Sequence, residues 1–140
     1  MNRILLDTNI ILDIALERRE FFKKSKDILR LITQKNLPAY LTATTATDIY
    51  YILKKSKGHK STIEFLIDLF GFIEVCDVSS EVIMNALQSN LSDFEDAVQV
   101  ESARQNGIGI IITRNKADFV KSDVVVFTPD EFFQQYQRLK

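Results

Sequence analysis

The stretch ILLDTNIILD, residues 4–13, decides the fold. Ile4, Leu5 and Leu6 form a short continuous apolar run, and apolar residues resume at Ile10, Ile11 and Leu12. Between them stand Asp7, Thr8 and Asn9. Such a run, bounded by turn-forming residues, reads as a strand buried on both faces, and the spacing from Ile10 to Leu16 reads as a helix. The reading poses a physical problem. A carboxylate directly after a buried strand is costly to desolvate unless something pairs with it.

Working outward, the same alternation recurs. Phe22 to Thr33 has helical spacing, with Ile28, Leu29 and Ile32 on one face. Pro38 precedes a short strand, AYLT, and TATTATDIYYILKK is the next helix, with Thr44 or Thr45 as its cap. After KSKGHK, Ile63 to Phe70 is helical again, Gly71 stops it, and FIEVCDV is a strand. Ser79 or Ser80 caps a helix through Leu87, and Ser92 or Asp93 caps another that ends near Asn106 and Gly107. IGIIIT and VVVF are strands on either side of a single turn near Lys116 to Phe119, and Pro129 opens the last helix, where a missing N–H does no harm. Strands alternating with helices predict a three-layer α/β/α sandwich with a central, mostly parallel, Rossmann-like sheet. With no linker, repeat or low-complexity stretch, residues 1–140 read as one domain.

Composition narrows the class. Hydrophobic residues make up 46% and charged residues 26% of the chain, the profile of a globular domain with a full core. A net charge of -1 argues against an extended basic surface for nucleic acid but leaves room for a local basic rim. The single cysteine, Cys76, excludes an internal disulfide framework and reads as a small core residue. No apolar run has the length of a membrane span, and Asp7 and Asp13 interrupt any secretory signal, so a cytoplasmic protein is expected.

The polar residues at the strand ends carry the chemistry. Parallel α/β sheets bind ligands beyond the carboxyl ends of their strands. There the first strand ends at Asp7-Thr8-Asn9 and the IGIIIT strand at Thr113-Arg114-Asn115, with Asp118 shortly after. Asp48, Asp93 and Asp96 lie near helix starts that can reach the same edge. Each acid has a local reading. Asp48 complements a helix dipole, Asp93 and Asp96 have the spacing of a capping box, and Asn115 and Asp118 repeat that spacing. Acids from distant parts of the chain, if they meet, repel one another and require a cation. Carboxylate oxygens without a Cys/His cluster select Mg²⁺ or Mn²⁺.

Four stretches together resemble the PIN-domain family, close to the VapC-like toxin ribonucleases of type II toxin–antitoxin pairs: LLDTNIILD, TATTATDIYYIL, DFEDAVQVESA and IIITRNKADF. They occur in the family's order and span nearly the whole chain. The resemblance implies a Mg²⁺- or Mn²⁺-dependent endoribonuclease with Asp7, Asp48 and Asp96 as catalytic and metal-binding acids. Asp48 stands where many members carry Glu. Asn115 stands where many carry Asp, so the fourth ligand is Asn115 or Asp118, and Asp93 is a further metal candidate. Thr8 and Thr113 are expected as hydroxyl partners of a metal-bound water, and Asn9 as the residue that fixes the turn after the first strand.

An RNA backbone needs cations around such a pit. The candidates are Arg114 and Lys116, Lys54 and Lys55 within KKSKGHK, and Arg18, Arg19, Lys23 and Lys24. His59, the single histidine, reads as solvated surface. The resemblance also implies a homodimer and a small antitoxin partner. The apolar excess in Phe21, Phe22, Ile28, Leu29 and Ile32, in Tyr50-Tyr51 and in LIDLFGF is expected to leave an exposed remainder for such contacts. Two other readings compete. An aspartyl phosphatase wants a second Asp two residues after Asp7, where this chain has Asn9. A PIN-like binding module with weakened or absent catalysis would tolerate Asn115 and Asp48.

Overall fold

The computed structural model describes residues 3–119 and 122–139. Five strands form one sheet: β1 (Ile4–Leu6), β2 (Ala39–Thr42), β3 (Glu74–Cys76), β4 (Ile110–Ile112) and β5 (Val125–Phe127). Their order is β3-β2-β1-β4-β5, and every neighbouring pair is parallel. The sheet switches direction at β1, which pairs with β2 on one side and with β4 on the other, Leu6 opposite Ile112. All five carboxyl ends therefore lie along one edge, and the switch point falls beside Asp7.

Strand pleating sorts the core into two halves. Ile4, Leu6, Ile110 and Ile112 face one cluster with α1 (Thr8–Ala15), α2 (Phe22–Lys35), α3 (Ala43–Leu69) and α6 (Pro129–Leu139). Leu5 and Ile111 face the other, built with Val100 and Ala103 of α5 (Phe94–Gln105) and with Phe119 of a 3-10 turn (Lys116–Phe119). A smaller apolar cluster joins α4 (Ser80–Leu87) to α5. This is the expected three-layer sandwich. Only β1 and β4 are apolar throughout and buried on both faces. Val75 and Val125, on the edge strands, are about half exposed.

The caps show why the elements start where they do. Thr42, not Thr44 or Thr45, caps α3, its Oγ1 accepting from the Thr45 backbone N–H at 3.1 Å. Ser79 caps α4 and Asp93 caps α5. Thr128 and Glu131 form a reciprocal capping box ahead of α6. The two helices expected on either side of KSKGHK are one long element broken at Gly58, whose φ of 78° is open to glycine without strain. Among the described residues no helix is long and apolar enough to cross a membrane.

Candidate active site

Asp7 occupies the N-cap position of α1 but does not cap it, and no side-chain bond runs from it to that helix's backbone. Its carboxylate turns to two neutral donors instead. Thr113 Oγ1, at the end of β4, donates to Oδ2 at 2.8 Å, and Gln99 Nε2, from α5, donates to Oδ1 at 3.0 Å. Thr113 is itself held, because its Oγ1 accepts the Asn115 backbone N–H at 3.0 Å. Asp7 is only 5% exposed. No ion pair to it occurs among the described residues, so its negative charge is solvated by dipoles alone.

A cleft of about 370 Å³ opens above it, lined by Asp7, Asp48, Asp93, Glu95, Asp96 and Asp118 together with Asn115, Thr8, Asn9 and Gln99. Each acid proposed from the sequence, with Thr8, Asn9 and Asn115, thus borders one space at the carboxyl edge. Thr113, expected there as a partner of a metal-bound water, is instead fully buried behind Asp7, its hydroxyl committed to that carboxylate. Thr8 Oγ1 lies 2.9 Å from Thr45 Oγ1, and Thr45 is bonded in turn to Thr42, so a hydroxyl chain joins the starts of α1 and α3. Asp48 lies beyond the first turn of α3, so the dipole reading of this residue fails. Asp93 Oδ1 accepts the Asp96 backbone N–H at 3.0 Å, so Asp93 caps α5 while bordering the cleft. The Asn115–Asp118 cap does not form through the Asn115 side chain; Asp118 N–H donates to the Asn115 carbonyl. Asn9 belongs to α1, and its Oδ1 accepts from Arg18 at 3.1 Å.

Crowding of like charge sets the electrostatics. The Asp96 carboxyl is pushed up to about 7, first by burial and then by the charges of Asp93, Asp7 and Asp118. Glu95, which sequence reasoning passed over, is also raised to about 7, first by its hydrogen bond with Asp48, then by burial and by the surrounding acids. Two carboxyls on different helices can share a bond only through a proton. Gln99 was missed too. Its Oε1 is buried with no partner, an arrangement that typically costs about 1–3 kcal/mol.

The basic candidates divide. Arg114 is not free to meet substrate with its whole guanidinium: Nε donates to Asp13 at 2.9 Å and the group stacks 3.9 Å from the Phe21 ring centroid. Arg18 also binds Asp13, Lys24 pairs with Asp130, and Lys116 pairs with Glu131. Lys54 lies over the Tyr50 ring, and Lys55 is exposed on α3. His59 is exposed, as expected, with Nδ1 2.7 Å from the Tyr50 hydroxyl. Of the apolar stretches singled out in the sequence, the exposed remainder lies on α3, at Tyr51 (65%) and Ile67 (67%), and at Phe72 just after it, whereas Ile28 and Ile32 on α2 are buried. Met84 and Leu87 on α4 are exposed as well.

As placed, no three Asp, Glu, His or Cys side chains among the described residues stand close enough together to hold a metal ion. The donor chemistry nevertheless fits a hard cation. It consists of oxygen atoms only, carries uncompensated negative charge, and has one unfilled buried acceptor beside the central acid.

A parallel sheet with an acid-lined cleft over its switch point defines a class of α/β proteins that gather carboxylates from distant segments at one edge. The particular family follows from comparison. The PIN domain model matches residues 3–117, and the chain belongs to that family. It is 25% identical over 142 residues to the protein named Ribonuclease VapC1 of Aquifex aeolicus, covering 98% of this chain and 97% of that one. Its fold resembles a toxin–antitoxin complex from Klebsiella pneumoniae, with a TM-score of 0.68, 22% identity, and 90% and 97% of the two chains covered. It also resembles DNA-bound VapBC from Salmonella typhimurium, with a TM-score of 0.67, 16% identity, and 91% and 97% covered.

Proposed function

We propose that this PIN-domain chain is a metal-dependent endoribonuclease that hydrolyses RNA phosphodiester bonds and acts as the toxin of a toxin–antitoxin pair. The observation that carries the reading is the convergence of Asp7, Asp48, Asp96 and Asp118 on one cleft. Membership of the PIN family and the similarity to a protein named as a ribonuclease support it.

In this reading Asp7, Asp48 and Asp96 hold a Mg²⁺ or Mn²⁺ ion, with Asp118, Asn115 or Asp93 completing the oxygen set. A bound divalent ion supplies Lewis-acid polarisation of the phosphate and lowers the pKa of a water beside it. The chain's own residues arrange the rest. Thr113 and Gln99 fix the Asp7 carboxylate in one orientation, and the Thr8–Thr45–Thr42 hydroxyls tie the start of α3 to that of α1. RNA approaches an acidic pit, so its backbone must be met by lysines at the rim, among which Lys54 and Lys55 are exposed on the helix that carries Asp48. The exposed face of α3 is proposed for homodimer contacts, and a small antitoxin protein as the cellular partner.

RNA cleavage assayed with Mn²⁺, with chelator, and with Asp7→Asn tests this. Cleavage is expected with Mn²⁺ alone, and Asp7→Asn should lose at least an order of magnitude, or roughly 1.4 kcal/mol in barrier. Expression in a bacterial host should arrest growth with wild type and not with Asp7→Asn at equal protein level. Equal RNA binding by both proteins with no cleavage by either would favour the binding-module reading.

A further inference from the structure

Gln99 lies one turn after Asp96 on α5 and is 4% exposed, in a segment otherwise made of alanine and valine: Ala97, Val98 and Val100. Its amide orientation is dictated chemically. An ionised carboxylate only accepts, so the nitrogen must face Asp7 Oδ1 and the oxygen must face away. That leaves Oε1 buried with no donor, on a residue that lines the acidic cleft. Leucine or methionine in its place would remove the orphaned amide oxygen but would leave Asp7 Oδ1 without its donor. Among the described residues the other unpartnered buried side-chain atom, Thr62 Oγ1, lies on α3 beyond the Gly58 break and outside the residues lining the cleft.

We infer that Gln99 is a positioning residue of the cation site: Nε2 clamps Asp7 without neutralising it, and Oε1 accepts a hydrogen from water carried in with the divalent ion. This rests on the cation reading given above. A cationic clamp in the same place would hold Asp7 equally well but would cancel the charge that attracts the ion. A purely apolar residue would leave the carboxylate held by Thr113 alone. Gln supplies direction without charge, and its second atom is satisfied when the hydrated ion enters.

The test is Mn²⁺ binding, measured by calorimetry on wild type, Gln99→Met and Asp7→Asn. Partners of metal ligands typically contribute 10–100-fold to metal affinity or activity. Gln99→Met is expected to fold, with a melting temperature without metal at or below that of wild type because Asp7 Oδ1 loses its donor, and to bind Mn²⁺ at least tenfold more weakly. In the cleavage assay its kcat should fall with little change in KM for RNA. A second measurement needs no variant: in the wild-type NMR spectrum the Gln99 side-chain amide resonances should move with added Mg²⁺ over the concentration range that saturates the protein. Wild-type Mn²⁺ affinity in Gln99→Met, or amide resonances indifferent to Mg²⁺, would overturn the inference while leaving the nuclease reading intact. Absence of Mn²⁺ binding by wild type would overturn both.

Discussion

Asp7 and Asp13 are both buried, both near α1, and treated in opposite ways. Asp13 has no exposed surface and receives two arginines, Arg18 on Oδ1 at 3.2 Å and Arg114 on Oδ2 at 2.9 Å. Asp7 receives Gln99 and Thr113, which are neutral. The number of hydrogen-bonded side-chain contacts is alike, and the charge balance is not. Asp13 is a closed structural site that pins the end of α1 to the loop after β4. Asp7 is oriented but left negative, as a ligand for an incoming cation must be. Asp13 and the proposed metal ligand Asp7 differ in the charge of their donors rather than in their depth.

The sharpest test of the contrast is to remove each acid. Asp13→Ala leaves two arginines facing a hole. Breaking a buried pair costs about 3–5 kcal/mol, and the low end applies because both arginines are partly exposed. Asp7→Asn should leave the metal-free protein unchanged or more stable, since it relieves repulsion. Urea denaturation of both variants measures the difference, and equal losses would break the comparison.

Metal sharpens it next. If Asp7 awaits a cation, Mn²⁺ at 100 times its Kd should stabilise wild type by about 2.7 kcal/mol. The gain should vanish in Asp7→Asn and persist in any Asp13 variant that folds. Differential scanning calorimetry reads it directly.

A smaller effect separates two neighbours on α5. Asp93→Ala should cost about 0.5–2 kcal/mol through its lost cap, with some cleavage activity left. Asp96→Asn should keep the fold while cleavage at saturating Mn²⁺ falls at least tenfold. If Asp96→Asn cleaves like wild type and a folded Asp93→Asn is dead, the two roles are exchanged.

The mildest test is pH. Asp96 and Glu95 are raised from 3.8 and 4.5 to about 7, so the native state holds protons that the unfolded chain releases. Their contribution to stability is fully present below the ordinary carboxylate range and is lost as pH rises through about 7. The melting temperature in chelator should fall across that window, and saturating Mn²⁺ should flatten the curve.

Much of this was legible in the sequence because burial dictates it. The apolar runs Ile4–Leu6 and Ile110–Ile112 fill the central strands β1 and β4, and Asp7 stands out at the end of the first, whereas the equally apolar VVVF run gives an edge strand. Legibility failed where a residue's meaning depends on a distant partner. Asp13 reads as one more helix residue until Arg114, 101 positions later, is found on it. Gln99 reads as a polar residue on a helix surface until Asp7, 92 positions away, is found against its amide. Glu95 drew no notice beside the capping pair Asp93 and Asp96, and its hydrogen bond with Asp48 crosses between helices. The Thr42 cap was misplaced for a local reason. Four threonines fall within residues 42–47, and only the backbone turn decides which of them leads the helix.

The strand order has a consequence for synthesis. β1 is made first yet sits in the middle of the sheet, and half of its hydrogen-bonding edge waits for β4. On the ribosome, a nascent chain that has not yet exposed Thr113 has nothing to donate to Asp7 Oδ2, and one that has not exposed Asp118 lacks a wall of the cleft. Long-range pairing of this kind closes late, because the entropy of a large loop must be overcome before its contacts form. A product terminated before Thr113 would therefore carry Asp7, Asp48 and Asp96 without the donor that fixes Asp7 Oδ2 or the Asp118 wall of the cleft.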